Sequence, residues 1–114
     1  MRVWDVAPGL LCRQHLLGEH RELHGLWNIL TKHRGVGGYS RHPETQRWVG
    51  RLAALHARHE ALAEEMARRG YNHGSALDPA LAEGTSDVQD TYLDTPEEQL
   101  RILREKPCPC LRTT

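Results

Sequence analysis

Pro8-Gly9-Leu10-Leu11-Cys12-Arg13-Gln14-His15-Leu16-Leu17-Gly18-Glu19-His20-Arg21-Glu22-Leu23-His24-Gly25-Leu26-Trp27-Asn28-Ile29-Leu30 is the stretch that decides the fold. Within it Cys12, Leu16, Leu23, Trp27 and Leu30 recur at helical spacing, so one face is apolar and turns inward. Pro8 suits a first helical position. The pattern predicts a helix from about Pro8 to about Leu30. Lys32, His33 and Arg34 follow as cations beyond the last turn, where they favour the helix dipole. Gly35, Gly37 and Gly38 then end it.

Working outward, a loop carrying Tyr39 and Ser40 leads to His42-Pro43, where a second helix is expected. Trp48, Leu52, Leu55, His59, Leu62 and Met66 form its inward stripe, and Arg68-Arg69-Gly70 stops it with glycine just past the end. Residues 71–94 read as irregular, punctuated by Gly74, Pro79 and Gly84, with room for one short strand or turn of helix. Thr95-Pro96-Glu97-Glu98 has Thr as N-cap, Pro at the first position and Glu three residues after the cap, a capping box. This third helix should reach about Lys106, where Pro107-Cys108-Pro109-Cys110 stops it. The expectation is all-α: a single compact domain over residues 1–114, three helices with long irregular connections.

A chain of 114 residues is near the common size of one domain. Its core must rest on Leu, Ala, Val and three Trp, because there is no Phe. No apolar run approaches the roughly 20 residues that span a bilayer, and Met1-Arg2-Val3-Trp4-Asp5 lacks a signal-peptide apolar region. Three cysteines, two of them at 108 and 110, imply no disulfide framework. Both points favour a reducing cytoplasm. Net charge is zero, but its distribution is uneven. Residues 1–73 hold 11 Lys and Arg against 7 Asp and Glu, and all eight His; residues 74–114 hold 4 against 8. A basic, His-rich front suits a polyanion, and an acidic rear suits solvent or shielding.

Ionisable residues are densest on the first helix, at Glu19-His20-Arg21-Glu22 and His24. At 100° per residue, His15, Gly18, Glu22, Gly25 and Ile29 lie along one line. Glu22 is thus flanked one turn either way by glycine. Each glycine costs about 1 kcal/mol of helix propensity against alanine. Either a ligand approaches the backbone there, or another helix packs closely. Histidine spacing offers a rival, since His20 and His24 stand at i, i+4 and His56 and His59 at i, i+3. Pairs of this kind on facing helices can hold metal. The set His15, Glu19, His20 and His24 is one such option, while His59 within the apolar stripe reads as a hydrogen-bonded core residue.

Gln14-His15-Leu16-Leu17-Gly18-Glu19-His20-Arg21-Glu22-Leu23 resembles, without a gap, the first-helix signature Gln-His-Leu-X-X-Glu-X-Arg-Glu-Leu of the pyrimidine-dimer DNA glycosylases of the bacteriophage endonuclease V type. Lys32-His33 resembles a Lys-His pair near the end of that family's first helix. Arg69-Gly70-Tyr71-Asn72 resembles the segment that closes its second. The resemblance covers roughly residues 1–73, leaving 74–114 as an acidic connection and a C-terminal helix. It implies a three-helix enzyme that is both glycosylase and apurinic/apyrimidinic (AP) lyase. Its nucleophile is the α-amino group of the first residue, which attacks sugar C1′ and forms an imine before β-elimination cuts the strand. The residue matching Glu22 assists, and the one matching Arg21 holds DNA. An α-amine has a reference pKa near 7.7–8.0, so a useful fraction is nucleophilic at neutral pH.

Three departures shape the expectation. Arg2 is too bulky for ordinary methionine removal, so Met1 stays. Counted back from Gln14-His15, Met1 falls where the family's processed first residue falls. Gly25 stands where the phage enzymes carry an arginine three residues after the glutamate. No aromatic follows Tyr92, whereas the phage enzymes end in an aromatic and basic segment. The reading is a DNA-repair glycosylase and AP lyase acting on damaged double-stranded DNA. It is expected to be a cytoplasmic monomer, at the bacterial nucleoid or in a phage-infected cell, with no membrane association and no metal or cofactor. Met1 and Glu22 are the catalytic pair; Arg2, Arg13, Gln14, His15, Arg21, Lys32, His33 and Tyr39 are the DNA-binding set. Arg34, Arg41, Arg47 and Arg51 could extend the path, and Trp4 and Tyr39 are the aromatics placed to touch bases. Trp27 and Trp48 belong to the core. The alternatives are a non-catalytic DNA-binding or protein-interaction module on the same scaffold, and a His/Glu metal-binding helical protein.

Overall fold

Two long helices facing each other carry the structure, which is a computed structural model describing residues 2–32, 41–72 and 76–106. Among the described residues there are four α-helices: α1 (Arg13–Thr31), α2 (Pro43–Gln46), α3 (Leu52–Arg68) and α4 (Pro96–Glu105). Two 3-10 turns, Pro8–Leu10 and Pro79–Ala82, complete the regular elements, and no strand occurs among these residues. The all-α expectation holds. The count of three helices does not, because the second expected helix is two.

α1 packs on α3 through the apolar faces that the spacing predicts. Leu16, Leu23, Leu26 and Trp27 from α1 meet Leu55, Leu62 and Met66 from α3, and Leu103 of α4 joins them, all buried. Trp48 completes this core from the turn between α2 and α3.

Pro8 heads a 3-10 turn and not α1 itself. Leu11 and Cys12 then run extended, with ψ 140° and 168°, and α1 starts at Arg13. Long-range contacts cause the break. Arg69, at the end of α3, donates to the carbonyls of Leu11 at 2.7 Å and Pro8 at 3.3 Å. A helix beginning at Pro8 would consume those carbonyls internally.

The second break has a similar origin. Gly50 takes φ +75°, a left-handed turn suited to glycine. Ala54 N–H donates to Ser86 O at 3.0 Å and Ala53 N–H to Thr85 Oγ1 at 2.8 Å. The first-turn donors of α3 are thus satisfied by a segment more than thirty residues away in sequence. Local spacing could not register that. By contrast, the capping box at Thr95 forms as expected, with Thr95 Oγ1 accepting from Glu98 N–H and Glu98 Oε1 from Thr95 N–H.

Candidate active site

The extended segment before the first 3-10 turn is held on three sides. Val3, Trp4 and Val6 are buried, and polar groups fix the backbone between them. Arg47 Nη2 donates to Val3 O at 2.7 Å, and Arg58 Nη1 to Val6 O at 2.6 Å. Asp5 N–H donates to Gln99 Oε1 at 2.7 Å, and Gln99 Nε2 returns a bond to Asp5 Oδ2 at 2.8 Å. One arginine from either side of α3's start and one glutamine from α4 therefore fix the course of residues 3–6.

Three ion pairs centred on two enclosed arginines underlie this. Arg58 grips Glu19 with both ends of its fork, Nε to Oε2 at 2.6 Å and Nη2 to Oε1 at 2.9 Å. Burial pushes the Glu19 carboxyl above the ordinary range; the Arg58 contacts and the Trp4 backbone N–H oppose it. Arg47 joins Glu44 at 2.7 Å and Asp5 at 2.9 Å with its side chain almost wholly enclosed. Arg47 is therefore a core residue and is removed from the DNA path.

Above this support lies a cleft of about 540 Å³ lined by Arg2, Trp4, Gln14, His15, Gly18, Glu19, Arg21, Glu22, Ile102 and Lys106. α1 supplies one wall, the N-terminal segment the floor and α4 the opposite rim. Arg2, Gln14, His15, Arg21 and Glu22, all expected site residues, are brought together. Glu22 is half-buried, and Arg21 and Gln14 are exposed. Arg2 bridges to Asp94 at 3.0 Å, with its guanidinium 4.8 Å from the Trp4 ring centre. His15 Nδ1 lies 3.2 Å from Cys12 Sγ, and its ring meets Trp4 edge-on at 5.9 Å. Burial, and then the Lys106 charge, hold its pKa below the usual histidine value, which favours the uncharged imidazole.

Not every expected residue gathers there. Arg13 is exposed beside the Tyr71 ring and, with Gln14, Leu17 and Arg21, lines a shallower groove next to the cleft. Lys32 caps the far end of α1, ten residues from Glu22 and about 15 Å along the helix. Arg51 pairs with Asp90 at 3.6 Å. Met1, His33, Arg34 and Tyr39 lie outside the described residues. Trp4, expected as an exposed aromatic, is 5% exposed and lends the cleft only an edge; Trp27 and Trp48 are core as expected. Ile102 and Lys106 are lining residues that the sequence did not single out. The one available signal was a lysine near the end of a well-capped amphipathic helix, with nothing local to say what it faces.

Gly18 and Gly25 separate the two explanations for glycine beside Glu22. A Cβ built on either meets no atom within 4 Å, so neither serves close helix packing. Gly18 opens onto the cleft and Gly25 is exposed.

Chemically, the cleft sets a carboxylate among cations, with an imidazole held toward its uncharged form and an apolar edge beneath. Such a surface accepts a polyanion and keeps one acidic side chain at the contact. The family model for pyrimidine dimer DNA glycosylase matches residues 1–79. The chain belongs to that family. It is accordingly a DNA-repair glycosylase in kind, and its partner is DNA. No curated protein and no solved structure matches the chain significantly. In this member of the pyrimidine dimer DNA glycosylase family, the matched span contains every cleft residue except Ile102 and Lys106. Those two come from α4 and its C-cap, beyond the match. No helix among the described residues is long and apolar enough to cross a membrane.

Proposed function

We propose that this chain is a monomeric glycosylase and AP lyase that uses the α-amine of Met1 as nucleophile and Glu22 as its carboxylate partner on damaged double-stranded DNA. The amine nitrogen attacks C1′ of the damaged nucleotide, the C1′–base bond breaks, and the base leaves with a proton. The C1′–O4′ bond then breaks as the remaining nitrogen proton passes to O4′, and the opened sugar is left joined to Met1 by an imine at C1′. Removal of a C2′ proton then expels the 3′ phosphate by β-elimination, which cuts the strand. Glu22 stabilises the positive charge that develops on the sugar and the imine, and carries protons in the elimination. Arg2, Gln14, His15, Arg21 and Lys106 line the path of the sugar-phosphate backbone, and Arg13 and Lys32 extend it. His33 and Tyr39 belong to the same proposed DNA-binding set.

The observation that carries this reading is the convergence of Arg2 and Glu22 on one cleft. Met1 precedes Arg2 by a single peptide bond, and the segment that follows is pinned by Arg47, Arg58 and Gln99. Preorganisation of a nucleophile beside its partner is what an imine-forming enzyme requires. The bare backbone at Gly18 gives a sugar or phosphate room to lie against α1.

Borohydride trapping tests it directly. Untagged protein with a verified free N-terminus is mixed with a duplex containing one abasic site, reduced, and mapped by mass spectrometry. An adduct on the Met1 amine is expected. An adduct confined to a lysine, or none with DNA binding intact, refutes the Met1 assignment and favours a binding module on the same scaffold.

A further inference from the structure

α1 presents a second group of functional side chains on the side away from the cleft. At 100° per residue, His20 and His24 stand about 160° around the helix from Glu22. Their Nε2 atoms are 3.2 Å apart. His59, from the middle of α3, brings its Nε2 to 3.2 Å from that of His24. One ligand atom from each of the three lies within 4.8 Å of the others. His59 is wholly buried, whereas His20 and His24 are half-buried, so solvent reaches the group past the two α1 rings.

The positions of protons decide what this cluster is suited to. A neutral imidazole carries one N–H, and a carboxylate only accepts. His59 Nδ1 lies 3.0 Å from Glu60 Oε1. In a neutral His59 this contact assigns the proton to Nδ1 and leaves the Nε2 lone pair toward His24. His24 Nε2 bears at most one proton, pointing in one direction, yet it has an Nε2 neighbour at the same distance on two sides. A single proton serves one of those contacts. A divalent cation serves all three nitrogens at once.

The spacing agrees. Zinc–nitrogen bonds of about 2.0–2.1 Å in a tetrahedron set ligand nitrogens about 3.4 Å apart. Both 3.2 Å contacts are near this value, and the third pair of ligand atoms lies within 4.8 Å. A carboxylate behind the buried histidine is the usual device for fixing a ligand's tautomer and orientation. Three imidazoles with no thiolate suit zinc and its borderline neighbours more than calcium or magnesium.

We propose that His20, His24 and His59 form a zinc site, completed by water on the side that solvent reaches, that ties α1 to α3. Of the set suggested by helical spacing, Glu19 is committed to Arg58 and His15 to the cleft wall. His59, read from sequence as core, takes their place. The site lies on the opposite side of α1 from Glu22 and is independent of the proposed lyase chemistry. Its role is to hold the helix that bears Arg21 and Glu22 against α3.

The test uses untagged full-length chain, stripped with chelator and titrated with Co²⁺ and then Zn²⁺. One Co²⁺ per chain should bind with the intense visible bands of a tetrahedral site, and one equivalent of Zn²⁺ should bleach them. At a hundredfold excess over Kd, zinc should raise Tm by on the order of 10 °C. His20→Gln, at a half-exposed position outside the core, should weaken binding at least tenfold while keeping the helical circular dichroism of the parent. His24→Gln should do the same, and His56→Gln should not. No stoichiometric uptake by the parent chain overturns the proposal. So does uptake by His20→Gln and His24→Gln as tight as the parent's, which would put the ion elsewhere. Strand cleavage by the stripped protein bears on neither result.

Discussion

Glu19 and Glu22 stand one turn apart on α1 and meet opposite surroundings. Glu19 is enclosed and clasped by Arg58, whereas Glu22 is half-buried at the cleft with cations on its rim. The first is structural and the second is available to chemistry, so their variants should fail in different ways. Glu22→Gln keeps the shape and loses the charge. Strand cleavage at an abasic site should fall by roughly 10²–10⁴, while duplex binding measured by anisotropy stays within about twofold. Full cleavage by that variant would remove Glu22 from the mechanism. Arg58→Leu should instead lower stability by about 3–5 kcal/mol, because it strands a buried carboxylate. Adding Glu19→Leu should recover much of that loss in urea unfolding, since the stranded charge is then gone. His15 yields a pH effect of defined sign. Its pKa is lowered in the folded chain by burial and then by Lys106, so the unfolded chain takes up its proton first as pH falls. The stabilising difference is complete above the ordinary histidine value near 6.5 and is lost as pH drops toward the folded value. His15→Gln should therefore flatten the decline in unfolding free energy between pH 7 and 5, and an unchanged slope would contradict the assignment.

At the scale of helices, what was legible depended on whether the deciding contact was local. The apolar lines of α1 and α3 and the Thr95 capping box rest on residues one or two turns apart, and all three form as the sequence predicts. The start of α1 and the break before α3 are set by Arg69 reaching back to Leu11 and by residues 85–86 reaching Ala53 and Ala54. No spacing rule contains those contacts. The candidate site divides along the same line. Gln14, His15, Arg21 and Glu22 share a helix face and could be named from sequence; Ile102 of α4 and Lys106 at its C-cap arrive from about eighty residues away. Arg47 misled because its local partner Glu44 fits an exposed helix pair equally well, and nothing local shows that Asp5 and the Val3 and Thr91 carbonyls will enclose it. The glycines of α1 allow an element-scale experiment. Neither Gly18 nor Gly25 has protein within 4 Å of an added Cβ. Alanine at either should therefore raise stability by up to about 1 kcal/mol through helix propensity. Only Gly18 faces the cleft, so only Gly18→Ala should also lower cleavage of abasic DNA. Equal activity of the two variants would mean that substrate does not lie against the α1 backbone.

For the whole molecule, the balance of charge over the surface decides how it meets DNA. The basic front and acidic rear of the sequence do not remain apart. Asp94 bridges to Arg2 at the cleft and Asp90 to Arg51. Both pairs are partly exposed, so each contributes little to stability and yields readily to phosphate. Arg47 behaves differently, because its guanidinium is enclosed by Asp5, Glu44 and the Val3 and Thr91 carbonyls. Among the described residues, Arg2, Arg13, Arg21, Lys32 and Lys106 are the cations at the cleft, at the groove beside it and at the end of α1 that the proposal sets against phosphate. If these five neutralise phosphates, log affinity should fall with log salt at a slope of about −4 to −5. Each charge removed from the path should reduce that slope by about 0.9 and weaken binding to any sequence alike. Arg21→Ala and Lys106→Ala are expected to do this with unfolding free energy nearly unchanged, since both side chains are exposed. Arg47→Met should do the reverse. It should cost about 3 kcal/mol or more of stability by leaving Asp5 and Glu44 unpaired, and leave the salt slope of the folded fraction as it was. The Lys106 variant is the sharper measurement, because α4 lies beyond the residues that match the family. A reduced slope there would make α4 part of the DNA-binding surface. An unchanged slope would confine that surface to α1 and the N-terminal segment, with α4 acting only through Gln99 and Leu103 as support.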